Sequence, residues 1–315
     1  MRILLTGSSS FTGCWFTRAL ADAGHEVVVT MTRPSADAYD DPARRERVGL
    51  VLERAASVAW GVAFGEPAFV DLVGRGFDVL CHHGADVTDY KSPDFDVDRA
   101  LASNTRSLRR VLQALRAGGG RRVVLTGSVF EGDEGAGDAG LPHFSPYGLS
   151  KALTAQVFRH HCREQGLGLG KFVIPNPFGP MEEPRFTAYL MKTWFAGASA
   201  EVKTPEYVRD NIHAGLLAAC YASFVAGLGE SPGFSRMAPS GYVESQGAFA
   251  QRVAAEVRAR TGLGCGLELA VQTDFAEPRM RINTDSAGAI VSGWGESACW
   301  DAFVAFYERR LGRGA

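Results

Sequence analysis

One stretch near the start, Arg2-Ile3-Leu4-Leu5-Thr6-Gly7-Ser8-Ser9-Ser10-Phe11-Thr12-Gly13, restricts the possible folds more than any other. A short apolar run reads as a buried strand, glycines bracket a tight turn, and a helix-compatible stretch runs to Ala23, where Gly24 stops it. The β-branched run Glu26 to Thr32, bounded by Gly24 and Pro34, supplies a second strand parallel to the first. Apolar runs at 77–81, 122–126 and 171–174 alternate with helical stretches at 101–115 and 147–165. This alternation predicts an α/β fold, a doubly wound parallel sheet, over residues 1–175. Past Pro175 proline and glycine cluster and the alternation fades, so 176–315 reads as mainly a smaller C-terminal lobe. Pieces of it, such as Phe234 to Ala238, return to the sheet.

The turn carries the first chemical signal. A turn without side chains lets backbone N–H groups approach a pyrophosphate at the positive end of a helix, so residues 1–175 form the expected dinucleotide-binding domain. Gly7 and Gly13 keep the required spacing, with Phe11 and Thr12 opening the helix and Ser10 standing where a middle glycine is usual. After the second strand, an acid would accept from an adenosine ribose and a cation would pair with a 2′-phosphate. No acid occurs before Asp37, and Arg33 lies between Thr32 and Ser35, which suits NADP better than NAD.

Proton chemistry is the second signal. Tyr147 and Lys151 stand four residues apart, on one face of a helix. A phenol is a poor base near neutrality, and a neighbouring ammonium favours its ionised form. The strand 122–126 delivers Thr126 to its carboxyl end, where open α/β sheets hold ligands. A hydroxyl, a tuned phenol and a cation beside a nicotinamide suit hydride transfer at a carbinol carbon.

Taken together, Thr6-Gly7-x5-Gly13, Gly84-Ala85, Asn104, Thr126, Tyr147-x-x-x-Lys151, Asn176-Pro177-Phe178-Gly179-Pro180 and Val208-Arg209-Asp210-Asn211-Ile212-His213 resemble the extended short-chain dehydrogenase/reductases. These are the nucleotide-sugar epimerases, dehydratases and 4-ketoreductases. The resemblance implies Thr126, Tyr147 and Lys151 as catalytic residues. It implies Gly7, Ser10, Phe11, Thr12, Gly13, Arg33, Gly84, Ala85, Asn104, Tyr147 and Lys151 around the cofactor. Lys91, Asn176, Arg209 and Arg279 are then the contacts to a sugar nucleotide.

Within such a family, dehydratases usually carry an acid pair after the threonine; here Gly127 and Ser128 stand there. The NAD-bound 4-epimerases normally keep an acid after the second strand, where this chain has Arg33. The first expectation is therefore an NADPH-dependent reductase of a 4-keto sugar nucleotide. The alternative is a redox-neutral 4-epimerase, with a 4,6-dehydratase behind it and a non-catalytic nucleotide-binding protein third.

With 46% hydrophobic residues and a net charge of −2, the chain lacks the basic excess of nucleic-acid binders. No apolar run approaches membrane-spanning length, and the six scattered cysteines read as single buried thiols in a reducing, cytoplasmic setting. His82-His83 and His160-His161 lack acid or thiol neighbours at ligand spacing, so no metal is expected. Residues 131–140 read as a mobile acidic surface loop, Glu182-Glu183 as solvated, and Trp300, Phe303, Phe306 and Tyr307 as a packed helix face. The resemblance also implies a homodimer through the helices at 101–115 and 147–165.

Overall fold

The computed structural model describes residues 1–138 and 140–312. They form two compact units: Met1–Glu134, Pro142–Ile174 and Ala218–Ala238 make the first, and Gly135–Leu141, Pro175–Leu217 and the rest the second.

In chain order the first unit begins with β1 (Arg2–Thr6), α1 (Phe11–Asp22), β2 (Glu26–Met31), α2 (Pro42–Leu52), β3 (Ser57–Trp60) and α3 (Pro67–Val73). It continues through β4 (Val79–His82), α4 (Val97–Asn104), α5 (Leu108–Ala117) and β5 (Arg122–Ser128). The short β6 (Ala136–Gly137) belongs to the second unit, and α6 (Pro146–Glu164) and β7 (Gly168–Ile174) to the first. Next come β8 (Asn176–Phe178), α7 (Phe186–Phe195), β9 (Ala200–Val202), β10 (Val208–His213), α8 (Ala214–Gly227) and β11 (Gly233–Met237). The chain closes with β12 (Pro239–Ser240), β13 (Tyr242–Ser245), α9 (Gln246–Thr261), β14 (Leu267–Leu269), β15 (Met280–Ile282), β16 (Asp285–Ser286), α10 (Ala287–Ile290) and α11 (Glu296–Leu311).

Seven strands of the first unit form one parallel sheet in the order β11-β7-β5-β4-β1-β2-β3. This is the expected doubly wound sheet, with Phe234 on its edge strand. Strands buried on both faces read as unbroken apolar runs, and Leu4, Val28, Leu80, Val123 and Leu169 pack under Phe69, Leu112 and Phe158 of the covering helices. Each such side chain contributes about 1.5–3 kcal/mol on leaving water. The strand order reverses between β1 and β4, the place where sheets of this kind leave a crevice at their carboxyl ends.

Two expected features differ. The single helix at 101–115 is two helices, because Ser107 adopts a left-handed φ of 50° between α4 and α5. The acidic segment 131–140 is not a surface loop over its described part, since Glu131 and Glu134 are buried and 136–137 pair as β6; Ala139 lies outside the described residues.

In the second unit β13-β10-β15-β6 form a sheet, with β8 beside β10. Its core gathers Phe178, Trp194, Phe249, Trp300, Phe303, Phe306 and Tyr307, as the spacing along α11 predicts. Glu182 departs from expectation: it is buried, accepting from Thr187 Oγ1 and Tyr307 Oη, each at 2.5 Å. Among the described residues, no helix is long and apolar enough to cross a membrane.

Candidate active site

The turn after β1 is built for close approach. Gly7 has φ 75°, and a Cβ there would stand 2.6 Å from the Gly84 nitrogen; one on Gly13 would stand 2.1 Å from the Gly7 carbonyl oxygen. Thr6 Oγ1 ties the two strand ends together, accepting from the His83 and Gly84 amides at 3.1 and 2.9 Å. Ser10 caps α1: its hydroxyl accepts from the Gly13 amide at 3.1 Å and donates to the Gly7 carbonyl at 2.8 Å. The serine thus fills the helix cap itself, while the Phe11 and Thr12 amides remain at the helix end, the positions from which a pyrophosphate is held. Cradle, reversal point and helix end together suit a dinucleotide.

Around the turn stands a basic group that no sequence argument singled out. Arg44 Nε donates to Ser9 Oγ at 3.3 Å, and buried Arg47 donates to the Ser9 carbonyl at 3.2 Å. The only sequence sign was an arginine-rich first turn of α2, capped by Asp41. Arg33 is exposed after β2. Asn104 is buried and accepts from the Asp86 amide at 2.9 Å, fixing the loop that follows Gly84 and Ala85.

Thr126 and Lys151 come together at the end of β5. Lys151 Nζ donates to the Thr126 carbonyl at 2.5 Å, and both residues are buried. Burial lowers the Lys151 pKa to about 8, opposed by the Glu131 charge and aided by Lys171. Tyr147 lies in the first turn of α6, whose N-cap Ser145 accepts from the Gly148 amide. A Cβ on Gly148 would stand 2.1 Å from the Phe130 carbonyl oxygen, so that turn is pressed against the chain following β5. The Tyr147 ring meets Tyr90 and Phe95 edge-on, with centroids 5.5 and 5.8 Å away. Lys91 is exposed, its ammonium 5.8 Å from the Tyr90 ring.

Glu131 folds inward beside this group. Its carboxylate accepts from the Ser128 amide at 2.7 Å and from Lys171 Nζ at 2.5 Å, while Glu134 bridges Lys171 and Arg236. Both Glu131 oxygens are therefore engaged within the protein. Gly127 makes room for the cluster, since a Cβ there would lie 2.8 Å from Glu131 Oε1 and from Lys171 Cε.

In the second unit, Asn176 Nδ2 donates to the Asp210 carbonyl at 3.3 Å. Arg209 pairs with Glu277 at 2.7 Å and stacks on Tyr207, and exposed Arg279 lies 4.0 Å over Phe275. The adjacent histidines at the end of β4 and just after it point to opposite faces: His82 stacks on Phe64 and Phe158, and His83 meets Phe16. On α6, contrary to the sequence reading, Glu164 does stand at ligand spacing from His160 and His161, with ligand atoms within 4.8 Å. Helical i, i+3 and i, i+4 ion pairing accounts for that grouping.

A parallel sheet with this cradle, and with Thr126 and Lys151 meeting at its carboxyl end, is the architecture of a dinucleotide-dependent enzyme class. The chain belongs to the NAD dependent epimerase/dehydratase family, whose family model matches residues 3–222. Among curated proteins no sequence matches it. Solved structures share its fold at low identity. A UDP-glucuronic acid 4-epimerase variant from Bacillus cereus, in complex with NAD and UDP-4-deoxy-4-fluoro-glucuronic acid, aligns with TM-score 0.76 and 14% identity over 98% of this chain and 100% of that one. A UDP-glucose 4-epimerase from Stenotrophomonas maltophila, with NAD and formylated UDP-arabinopyranose, gives 0.74 and 17% over 100% of both chains. The UDP-glucose 4-epimerase of Thermus thermophilus complexed with NAD gives 0.68 and 19%, again over 100% of both.

Proposed function

We propose that the protein is a redox-neutral 4-epimerase of a nucleotide sugar, using a nicotinamide dinucleotide that it recycles. The observation that carries this reading is the meeting of Thr126 and the Lys151 ammonium at the end of β5 in a chain of this family. The resemblance to 4-epimerases supports it over the NADPH-dependent 4-ketoreductase first expected from the sequence. Dehydration loses further ground, because the carboxylates of Glu131 and Glu134, which fold inward after Gly127 and Ser128, are committed to Lys171, the Ser128 amide and Arg236.

In this reading Gly7, Ser10, Phe11, Thr12 and Gly13 hold the pyrophosphate, with Gly84, Ala85 and Asn104 shaping the opposite wall. A bound nicotinamide supplies reversible hydride transfer. Tyr147 takes the proton from the sugar hydroxyl and returns it, the Lys151 cation keeps the phenolate accessible, and Thr126 holds the sugar oxygen. Lys91, Asn176, Arg209 and Arg279 are assigned to the sugar nucleotide, the arginines to its phosphates. Arg33, with Arg44 beside Ser9, favours a 2′-phosphate and keeps the NADPH reductase as the second reading.

Incubating purified protein with UDP-sugars, without added cofactor, tests the choice. Interconversion of C4 epimers by NMR, with no lasting change in nicotinamide absorbance and with NAD(P)+ released on denaturation, is the expected result. Stoichiometric NADPH consumption by a 4-keto sugar nucleotide, with no epimer interconversion, would replace the epimerase by the reductase.

A further inference from the structure

His83 sits in the middle of this polar group. Its Nδ1 lies 3.0 Å from Thr126 Oγ1, and its Nε2 lies 3.1 Å from both Ser10 Oγ and Thr12 Oγ1. Phe16 meets the ring edge-on at 5.0 Å and holds its plane. We propose that His83 is a positioning residue: its bare Nδ1 takes the Thr126 proton, so that Thr126 presents lone pairs alone to the reacting oxygen.

The direction follows from counting hydrogens. The Ser10 hydroxyl has one proton, which goes to the Gly7 carbonyl, and it already accepts from the Gly13 amide. Its remaining lone pair faces Nε2, so Nε2 carries a hydrogen; Thr12 Oγ1 can share it as a second acceptor. The opposite tautomer would set two lone pairs against each other at 3.1 Å. Burial and the Lys151 cation hold the imidazole neutral by lowering its pKa to about 3, so only one ring nitrogen is protonated. Nδ1 is therefore an acceptor, and Thr126 Oγ1 is the donor. The buried Tyr221 hydroxyl does not alter this count, because among the described residues it makes no hydrogen bond of ordinary geometry and so does not compete for the Thr126 proton.

The consequence is a division of labour. A threonine whose proton is held by His83 accepts from a sugar hydroxyl but offers no hydrogen to a keto oxygen. Proton traffic then falls to Tyr147 alone: the single hydrogen of the sugar hydroxyl is shared between Thr126 Oγ1 and the Tyr147 phenolate until the phenolate takes it. This division of labour rests on the proposed function, whereas the tautomer does not.

The test is a long-range 1H–15N correlation spectrum of the full chain with 15N-histidine, the His83 signals being assigned with His83→Gln. The expected spectrum shows the Nε2–H tautomer, unchanged from about pH 8 down to about pH 5, well past the ordinary histidine range. Thr126→Val should move the Nδ1 resonance and leave Nε2 in place. An Nδ1–H tautomer, a titration in the ordinary range, or an Nδ1 indifferent to Thr126→Val overturns the proposal. In turnover, His83→Leu should lower kcat about ten-fold or more with KM little changed, and His83→Asn, which keeps an acceptor near the Nδ1 position, should recover part of the loss. Adding His83→Leu to Thr126→Val should cost nothing further. Equal kcat losses in the Leu and Asn variants count against the proposal. If the parent protein turns over no nucleotide sugar, the proposed function fails and the spectrum alone decides the role of His83.

Discussion

A carboxylate with no exposed surface, such as Glu131, persists only where its charge is matched, and here Lys171 and the Ser128 amide do the matching. Removing one partner of a buried pair costs more than removing both. Lys171→Met should therefore destabilise the protein by about 3–5 kcal/mol in denaturant unfolding, and Glu131→Gln in that background should recover much of the loss. Additive losses would show that the pair is not energetically coupled. The same charges set Lys151. Its pKa of about 8 is lowered by burial and raised by Glu131, so Glu131→Gln alone should drive it lower. The alkaline limb of the pH–rate profile would then move to lower pH, because the ammonium that supports Tyr147 is lost sooner; Lys171→Met should move it the other way. An unmoved limb in both variants would detach Lys151 from the rate. Gly127 was read from the sequence only as a missing acid. Its physical reason, space for Lys171, lies in a residue far along the chain that nothing local announces.

Among elements, the strand–turn–helix around Gly7 and Gly13 is the most exacting. A Cβ on Gly13 would meet the Gly7 oxygen at 2.1 Å, so Gly13→Ala must push α1 away from the turn. Dinucleotide affinity by titration calorimetry should fall about ten-fold or more, since misplaced amides no longer converge on a pyrophosphate. Gly24→Ala is the control: φ is 81° but nothing lies within 4 Å, so about 1 kcal/mol of stability goes and affinity stays. Equal affinities in the two variants would remove the turn from binding. Such elements were legible because their constraints are local. Glycine spacing, the β-branched run of β2 and the four-residue Tyr147–Lys151 step all sit within one turn or strand. The break between α4 and α5 was not legible: the apolar pattern crosses it, and the left-handed Ser107 that makes it follows a tertiary contact, the Arg106 carbonyl against Gly65, where a Cβ would come within 2.0 Å. The strand β3, four residues long and only partly buried, carries too short a pattern to stand out. Residues 131–138 misled for a related reason, because glycine-rich acidic composition reads as solvated unless the distant cations Lys171 and Arg236 are known to receive it.

At the scale of the whole molecule, both units carry buried groups whose ionisation bears on stability, and in the second unit Glu182 joins the turn after β8 to the C-terminal helix through Tyr307. Burial raises its pKa from 4.5 to about 7, outweighing the hydrogen bonds from Thr187 and Tyr307 that favour the ionised form. Between those values the folded protein binds a proton that the unfolded chain has released, so stability is fully present below the lower value and is lost as pH rises through the upper one. The shift corresponds to at most about 3 kcal/mol. Asp210, raised to about 6 by burial, has the same sign in an overlapping window, so the parent protein alone cannot separate the two. Glu182→Gln can, because a neutral amide mimics the protonated acid and leaves Asp210 in place. Chemical denaturation should find the variant and the parent similar near about pH 5 and the variant more stable by up to about 3 kcal/mol near about pH 8. A difference that stays constant across that range would mean that Glu182 ionises in the folded protein as it does in the unfolded chain. The Thr187–Glu182–Tyr307 contact would then be too wet to act as a buried tie.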